Sequence, residues 1–350
     1  MLVVFRVDSS SNIGAGHLMR CLALASELRK EGKTIKFICR NLKGSLIEEI
    51  KYSGFSAIEL EMNTENKASN NSEHLNFLEV TQQQDAKDCI KVLKRLKVDL
   101  LIVDHYGIGE DWHIYLQNYC EKLMVIDDLA NRKYRCDILL DQTYKRRKEE
   151  YNGLVQRQCK LLLGPKYALL RSEFLKWREY SLHRRINSEF KKILITMGGA
   201  DMNNVTEKVL IALEKSLPNN IEITVLMMKS MPYIENVMER ARVMSCNTVV
   251  KINATNIAEI ISNSDIVIGA SGTSSMERFC LGVPSIQFSI AKNQNFSSKS
   301  FAEDNLVKLV TEVEQIHNLL VDPEVWMSDI SNASSKICDG FGSQRILENI

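Results

Sequence analysis

A histidine follows a glycine-rich turn near the start of the chain. The stretch DSSSNIGAGH begins at Asp8, directly after the apolar run LVVFRV, and the apolar residues of Leu18–Lys30 have helical spacing. His17 therefore lies in the first turn of a predicted helix, where unpaired amides and the positive end of the helix dipole disfavour imidazolium. A neutral imidazole near pH 7 can act as a general base. Gly14 and Gly16 would let a ligand approach the backbone beside it.

The same turn has two other interpretations. Gly14 and Gly16 resemble the start of the dinucleotide motif G-x-G-x-x-G, but Met19 stands in place of the third glycine. The next predicted strand ends near Arg40 without the carboxylate that would hold a ribose, so we expect no nicotinamide cofactor. The remaining alternative is a plain tight turn in which His17 only packs or caps.

A second group of small polar residues follows a predicted strand in the C-terminal half. The stretch GASGTSSME runs from Gly269 to Glu277, and its amides and hydroxyls suit a diphosphate. Glu277 lies one turn into the next helix, where its carboxylate can accept two hydrogen bonds from a ribose diol. A serine-rich helix cap with a surface glutamate is the alternative. The residues predicted for this nucleotide site are Ser271, Gly272, Thr273, Ser274 and Glu277, with Gly198 and Gly199 from the turn MGGAD.

Short β-rich runs alternate with helical spacing along the chain, a pattern typical of parallel sheets covered by helices. The strands form two series, separated by a polar stretch at Arg178–Phe190. We therefore predict an α/β protein with two doubly wound Rossmann-like domains, residues 1–183 and 190–350, facing a cleft. Ligands of such folds bind outside the carboxyl ends of the strands. The Asn-rich segment 61–76 is predicted to be a surface excursion.

Composition restricts the partners. Lys and Arg total 45 against 44 for Asp and Glu, so the charge gives no reason to expect nucleic acid or a membrane surface as a partner. The nine cysteines contain no CxxC, which argues against disulfides and zinc. No targeting segment or membrane-spanning run is visible. We expect a cytoplasmic monomer that needs neither metal nor cofactor.

Motifs along the chain resemble one family. They are, in order, FRVDSSSNIGAGHLMRCLALA, LLIVDHYGI, VIDDLA, CDILLDQ, LLGPKYALLRSEF, ILITMGGAD and KNQN, and they fall between Met1 and Val310. In that order they resemble the UDP-2,4-diacetamido-2,4,6-trideoxy-β-L-altropyranose hydrolases of bacterial pseudaminic acid biosynthesis. The GAGH block and KYALLRSEF are the most specific. GGAD and the helix of Glu277 are shared more widely with transferases of the two-domain GT-B fold.

The resemblance implies an activity and site residues. Water would remove UDP from the sugar without a metal and with inversion at the anomeric carbon. His17 matches the proposed base of the family. Arg171 and Glu277 match substrate-binding positions, and Asn293 and Gln294 of KNQN match a loop that borders the site.

Taken together, the motifs assign half of the substrate to each domain. The C-terminal domain would hold UDP, and the N-terminal domain would hold the sugar against Gly14, Gly16 and the loop 104–107. Tyr106 is predicted to touch the sugar, with a solvated loop residue as the alternative. Asp8 is grouped with the substrate-binding residues as a candidate to orient the base or the water, and a satisfied loop carboxylate is the favoured interpretation of it.

Two other functions remain open at this point. A glycosyltransferase would pass the sugar to an alcohol in the same cleft, but the N-terminal stretch shows no apolar or basic acceptor patch. A noncatalytic nucleotide-sugar sensor would gain little from an imidazole at His17. Hydrolysis is therefore the predicted function.

Overall fold

The structure is a computed structural model that describes residues 1–61, 75–186, 189–198, 201–229, 231–289 and 295–350. The strands are β1 (Leu2–Val7), β2 (Thr34–Arg40), β3 (Ser56–Leu60), β4 (Leu100–Asp104), β5 (Lys122–Ile126), β6 (Ile138–Asp141), β7 (Lys160–Leu163), β8 (Lys192–Thr196), β9 (Glu222–Met227), β10 (Asn247–Ile252), β11 (Ile266–Ala270), β12 (Ser285–Phe288) and β13 (Lys308–Val310). The α-helices are α1 (Gly16–Lys30), α2 (Ile47–Tyr52), α3 (Gln82–Leu93), α4 (Glu110–Leu116), α5 (Ser172–Arg184), α6 (Val205–Glu214), α7 (Ile234–Val243), α8 (Ile257–Ser262), α9 (Ser274–Cys280), α10 (Asn295–Glu303), α11 (Gln315–Leu320), α12 (Glu324–Ser334) and α13 (Gly342–Leu347).

The chain divides into two compact units. Unit 1 comprises Met1–Arg171 and Phe341–Ile350, and unit 2 comprises Ser172–Gly340. Each unit contains one parallel sheet whose strands alternate with helices, which confirms the predicted pair of doubly wound α/β domains. Within the described residues, no helix combines the length and the apolar character needed to cross a bilayer.

Unit 1 has the strand order β3-β2-β1-β4-β5-β6-β7. Its strands are nearly continuous apolar runs because both faces of a parallel sheet are covered. Val3, Phe5 and Val7 of β1 pack in the cluster that includes α1, whereas Val4 packs in the cluster on the other face. The order of strands reverses between β1 and β4, so the carboxyl ends of these two strands form the switch point of unit 1.

Helix α1 carries His17 and packs on the sheet through one apolar face. The predicted face is confirmed, since all of its members are buried: Leu18, Cys21, Leu22, Ala25 and Leu28. Arg29 and Lys30 occupy the last turn, where their positive charges interact favourably with the negative end of the helix dipole. The first turn of α1 is therefore held rigidly beside the carboxyl end of β1.

Unit 2 repeats the same arrangement with the strand order β10-β9-β8-β11-β12-β13. Residues of these strands form its core with α6, including Ile195, Val225, Ile268 and Leu210. The order of strands reverses between β8 and β11, and the carboxyl ends of these strands form the switch point of unit 2.

The division into units differs from the predicted boundaries in two places. Helix α5 belongs to unit 2, where Ser181 Oγ donates to the carbonyl of Leu281 at 2.7 Å. The last ten residues return to unit 1, because Ile346 of α13 is buried in the cluster of α1. The polar stretch that suggested a linker lies largely on α5. The return of α13 to unit 1 depends on packing between residues that are far apart in the sequence.

Candidate functional site

Charged side chains lie along the carboxyl edge of the unit 1 sheet. Because the carboxyl ends of parallel strands meet at one edge, residues that are distant in sequence come together there. The residues at or just beyond these strand ends are Asp8, Arg40, Asp104, Asp127, Asp128 and Asp141. Most of them are fully buried, so their charges must be matched by neighbouring groups.

His17 contacts a carboxylate at this edge. Its Nδ1 lies 2.5 Å from Oδ1 of Asp104, and its side chain is 8% exposed. Arg20 stands one turn further along α1 and donates Nε and Nη2 to the two oxygens of Asp104, each at 2.6 Å. The i, i+3 spacing places His17 and Arg20 on the same side of α1, facing the end of β4.

The charge of Asp104 determines which nitrogen of His17 is basic. Burial alone would raise the pKa of Asp104, but the charge of Arg20 and the contact with His17 outweigh it and hold that pKa well below its usual range. An ionised carboxylate only accepts hydrogen bonds, so Nδ1 of His17 must carry the proton in this contact. Nε2 is then the nitrogen with the lone pair, as a general base requires.

Tyr106 and Asp128 complete the surroundings of His17. The ring of Tyr106 stands edge-on to the imidazole, with the ring centroids 4.4 Å apart. Burial raises the pKa of the Tyr106 hydroxyl, and a hydrogen bond with Asp128 raises it further. Asp128 also accepts Nη1 of Arg20 at 3.0 Å. Tyr106 is half-buried and supports the imidazole, and its predicted contact with the sugar remains a prediction.

Asp104, rather than Asp8, is the carboxylate that contacts His17. Asp8 accepts both terminal nitrogens of Arg6, at 2.5 and 2.8 Å, and the backbone amide of Arg40 at 2.7 Å. Burial would raise the pKa of Asp8, yet the Arg6 charge lowers it well below its usual range. Nε2 of His105 lies 3.4 Å away. Asp8 is therefore a satisfied loop carboxylate that contacts Arg6 rather than His17. Its place among the substrate-binding residues remains a prediction.

Side-chain alternation along β1 and β4 explains that difference. Asp104 is paired with Val7, on the face of the sheet that α1 covers. Asp8 shares the parity of Arg6, whose Nη2 donates to Asp85 of α3 on the opposite face. The two aspartates thus leave the switch point toward different faces.

The glycines and serines of the loop have separate roles. Gly14 has φ +79° and open space where a Cβ would stand, and the close approach of a ligand remains a prediction. Gly16 is the first residue of α1, and Ala15 before it supplies no side-chain cap. Ser10 Oγ accepts the amides of the two residues that follow Ser11, at 3.2 and 3.0 Å, so this serine builds the loop.

Two adjacent acids follow β5 and contact different partners. Asp127 accepts the hydroxyl of Tyr151 at 2.9 Å and the amide of Ala130 at 2.8 Å, whereas Asp128 accepts Arg20. Within the part of the chain that the structure describes, no three His, Cys, Asp or Glu side chains are grouped as metal ligands. Independence of metal remains a prediction.

The loop after β11 in unit 2 consists of small residues with a polar base. Ser271 is buried, and its hydroxyl donates to the side-chain oxygen of Gln287 at 2.8 Å while its amide donates to Phe288. Gly272, Thr273 and Ser274 are half-buried or exposed at the turn. Three of the four predicted loop residues are therefore accessible, and Ser271 forms the base of the loop.

The remaining predicted residues are distributed as follows. Gly198 follows β8 with φ +82° and open space at its Cβ position. Asp201 accepts the amides of Val205 and Thr206 at 2.7 and 2.9 Å, so the start of α6 is already occupied. Glu277 is half-buried in α9, and half-buried Arg171 is the last residue of the first segment of unit 1. The predicted Gly199, Asn293 and Gln294 lie outside the described residues.

Sequence reasoning missed Arg20 and Asp128, and it named Asp104 only as the start of the loop against the sugar and not as the partner of His17. Arg20 and Asp104 contact His17, and Asp128 contacts Arg20 and Tyr106. The available signals were the i, i+3 spacing of Arg20 on α1 and the position of each aspartate at the end of an apolar strand.

No protein-family model matches the chain. Among the solved structures that share its fold is MurG of Acinetobacter baumannii, with a TM-score of 0.68 and 12% identity over 100% of this chain and 98% of that one. Another is the UDP-GlcNAc 2-epimerase of Neisseria meningitidis bound to UDP-GlcNAc, with a TM-score of 0.62 and 16% identity over 99% of this chain and 98% of that one. At these identities the likeness concerns the fold alone.

The chain also has relatives that match it in sequence. An uncharacterized protein of Methanocaldococcus jannaschii is 31% identical over 294 residues, which cover 81% of this chain but only 54% of the relative, so the chain spans about half of its length. The UDP-2,4-diacetamido-2,4,6-trideoxy-β-L-altropyranose hydrolase of Campylobacter jejuni is 30% identical over 273 residues, which cover 77% of this chain and 85% of the relative. The chain belongs to the family of UDP-2,4-diacetamido-2,4,6-trideoxy-β-L-altropyranose hydrolases.

Proposed function

We propose that the protein hydrolyses UDP-2,4-diacetamido-2,4,6-trideoxy-β-L-altropyranose to UDP and 2,4-diacetamido-2,4,6-trideoxy-L-altropyranose, a step of pseudaminic acid biosynthesis. The observation that carries this proposal is the contact of His17 Nδ1 with the buried, ionised Asp104, which leaves Nε2 as a base at the switch point of unit 1. Membership of the hydrolase family supports the choice of sugar.

In the proposed reaction, the two units hold different halves of one substrate. The sugar lies against the glycine loop of unit 1, near Gly14 and the first turn of α1. UDP binds at the switch point of unit 2, with its diphosphate near Gly198 and the accessible loop residues Gly272–Ser274. Glu277 accepts the ribose hydroxyls. Arg171, Gly199, Asn293 and Gln294 are part of the proposal as further substrate contacts.

The proposed chemistry is a single displacement at carbon. Water attacks the anomeric carbon as Nε2 of His17 takes one of its protons, and the bond from that carbon to the β-phosphate oxygen breaks. The electron pair leaves with UDP, which needs no proton because a diphosphate is a stable anion at neutral pH. The configuration at the anomeric carbon inverts. Asp104 stabilises the imidazolium that forms, since it is already held as an anion by Arg20.

A panel of UDP-sugars tests the proposal. Each sugar is incubated with the full chain, with and without a chelator, and released UDP and free sugar are measured. We expect release from the diacetamido trideoxy hexose and little from UDP-GlcNAc, with no loss in the chelator. Release that appears only when an alcohol acceptor is added, with formation of a glycoside, would identify a transferase instead. UDP binding without turnover of any sugar would identify a sensor.

A further inference from the structure

A buried arginine lies under the loop that is proposed to bind the diphosphate. Arg278 is 1% exposed, and its Nη2 donates to the carbonyl of Ala270 at 2.8 Å and is 3.0 Å from Ser275 Oγ. A Cβ built on Gly269 would lie 3.1 Å from Nη1 of Arg278 and 2.5 Å from the carbonyl oxygen of Thr196. Because Gly269 of β11 pairs with Thr196 of β8, the guanidinium lies at the switch point of unit 2.

The positive charge of Arg278 is poorly compensated within the described residues. There its Nε and Nη1 have no hydrogen-bond partner. Burial lowers the pKa of Arg278 to about 10, and the nearby charge of Glu277 offsets only part of that shift. A buried cation without a matching anion is costly, so an anion bound at this edge of the sheet would be a favourable partner for Arg278.

A second arginine of unit 2, which is half-buried, shows the contrast. Arg185 donates to the carbonyls of Ser181 at 2.9 Å and Ser264 at 2.8 Å, and burial lowers its pKa to about 9. It lies near the start of β11, at the amino edge of the sheet, where doubly wound folds do not bind ligands. Among the described residues Nε of Arg185 also lacks a hydrogen-bond partner, but both of its terminal nitrogens donate to carbonyls. In Arg278 the terminal Nη1 is unused as well, and this arginine stands at the carboxyl edge.

We propose that Arg278 is a positioning residue for the nucleotide, a built-in counter-charge that lies beneath the loop and attracts the diphosphate above it. It acts in two ways: its field reaches the diphosphate through the loop, and its hydrogen bonds hold Ala270 and Ser275 in place. Few mobile ions or waters screen a buried charge, so its field is stronger than that of a surface arginine. The same charge stabilises the departing UDP more than it stabilises the bound sugar nucleotide.

The inference rests on the proposed UDP site, so the test measures UDP and uridine separately. Arg278→Gln keeps a donor for Ala270 and removes the charge, Arg278→Lys keeps the charge, and Arg185→Gln is the matched control. Affinities are measured by calorimetry for UDP and by NMR titration for uridine. For Arg278→Gln we expect UDP to bind about ten- to a hundredfold more weakly and uridine about as before. Arg278→Lys should keep most of the preference for UDP, and Arg185→Gln should keep all of it.

Three results would overturn the inference. Equal weakening of UDP and uridine in Arg278→Gln would make Arg278 only a support of the loop. Unchanged affinities for both UDP and uridine in Arg278→Gln would show that Arg278 has no effect on nucleotide binding. If Arg278→Gln does not fold, a folded Arg278→Lys that loses the preference for UDP would contradict the inference in the same way. A wild-type chain that binds no UDP would instead overturn the proposed function, and the counter-charge with it.

Discussion

The switch points of unit 1 and unit 2 share one topology but hold different side chains. At the first, hydrogen bonds connect His17 to Asp104, Asp104 to Arg20, and Arg20 to Asp128. At the second, small neutral residues form the loop, and a buried cation, Arg278, lies beneath it. Both sheets reverse their strand order at this point, so the difference comes from the residues and not from the fold. The proposal assigns proton transfer to unit 1 and recognition of an anion to unit 2.

The largest expected effect comes from removing the base. His17→Asn should lower turnover by about 10² to 10⁴, the usual contribution of general base catalysis, and leave UDP affinity unchanged. Steady-state kinetics and calorimetry measure the two quantities. His317→Asn, at an exposed hydrogen-bonded histidine of unit 2, is the control. Loss of binding and turnover together would make His17 a packing residue and remove the contrast between the units.

A smaller loss is expected when the base keeps its ring but loses its orienting anion. The amide of Asp104→Asn can donate to Nδ1 of His17, which would move the proton to Nε2 and remove the basic lone pair. We expect turnover to fall about 10²-fold, at the lower end of the range for a lost general base because the ring can still return to the basic tautomer, with UDP affinity preserved. The ¹⁵N chemical shifts of the His17 ring report which nitrogen is protonated. An unchanged tautomer in a folded variant would contradict the role given to Asp104.

The third effect belongs to unit 2 and concerns binding. Glu277→Ala should weaken UDP binding by about 1 to 3 kcal/mol, the range for a charge-assisted hydrogen bond left unmade. Turnover at saturating substrate should change much less, because the ribose is remote from the bond that breaks. Calorimetry with UDP measures the change, and Glu239→Ala on the exposed side of α7 is the control. Unchanged UDP affinity would return Glu277 to the role of a surface residue.

The smallest effect concerns the stability of unit 1 below about pH 4. Four carboxyl groups of unit 1 have lowered pKa values. Burial alone would raise these pKa values, but arginine charges lower them by more, in Asp8, Asp85, Asp104 and Asp127. Their folded pKa values lie below the unfolded value of about 3.9, so they stabilise unit 1 above that pH and lose this effect as the pH falls further. Burial raises the pKa of Asp141, which opposes the loss.

Unit 1 should therefore unfold before unit 2 on acidification. Pepsin digestion at successively lower pH, with cleavage sites mapped by mass spectrometry, gives the order directly. First cleavage within unit 2 would show that the paired charges of unit 1 do not govern its acid stability.

The sequence predicts the fold well because parallel sheets leave a strong pattern. Apolar runs that end in Asp104 or Ala270 identify strands, and the polar turns that follow them must lie at the carboxyl edge. His17 was found in this way, from its position in the first turn of α1 and without knowledge of its partner.

What the sequence did not predict depends on side-chain parity and long-range packing. Asp8 and Asp104 both end strands near His17, and only the register of β1 with β4 shows that Asp104 faces α1. In the sequence, Arg278 is simply a charged residue next to Glu277. Only the structure, in which its guanidinium lies close to Gly269, shows that it is buried at the switch point.

The central claim is that unit 1 directs water to the anomeric carbon, and an isotope experiment tests it most directly. The reaction is run in ¹⁸O-labelled water with a chelator present, and both products are analysed by mass spectrometry. Attack at carbon places the label in the free sugar and leaves UDP unlabelled, and this is the predicted result. Attack at phosphorus normally requires a divalent metal held by clustered carboxylates. Label in the phosphate of UDP would therefore contradict the account, because His17 and Asp104 would no longer act at the bond that breaks.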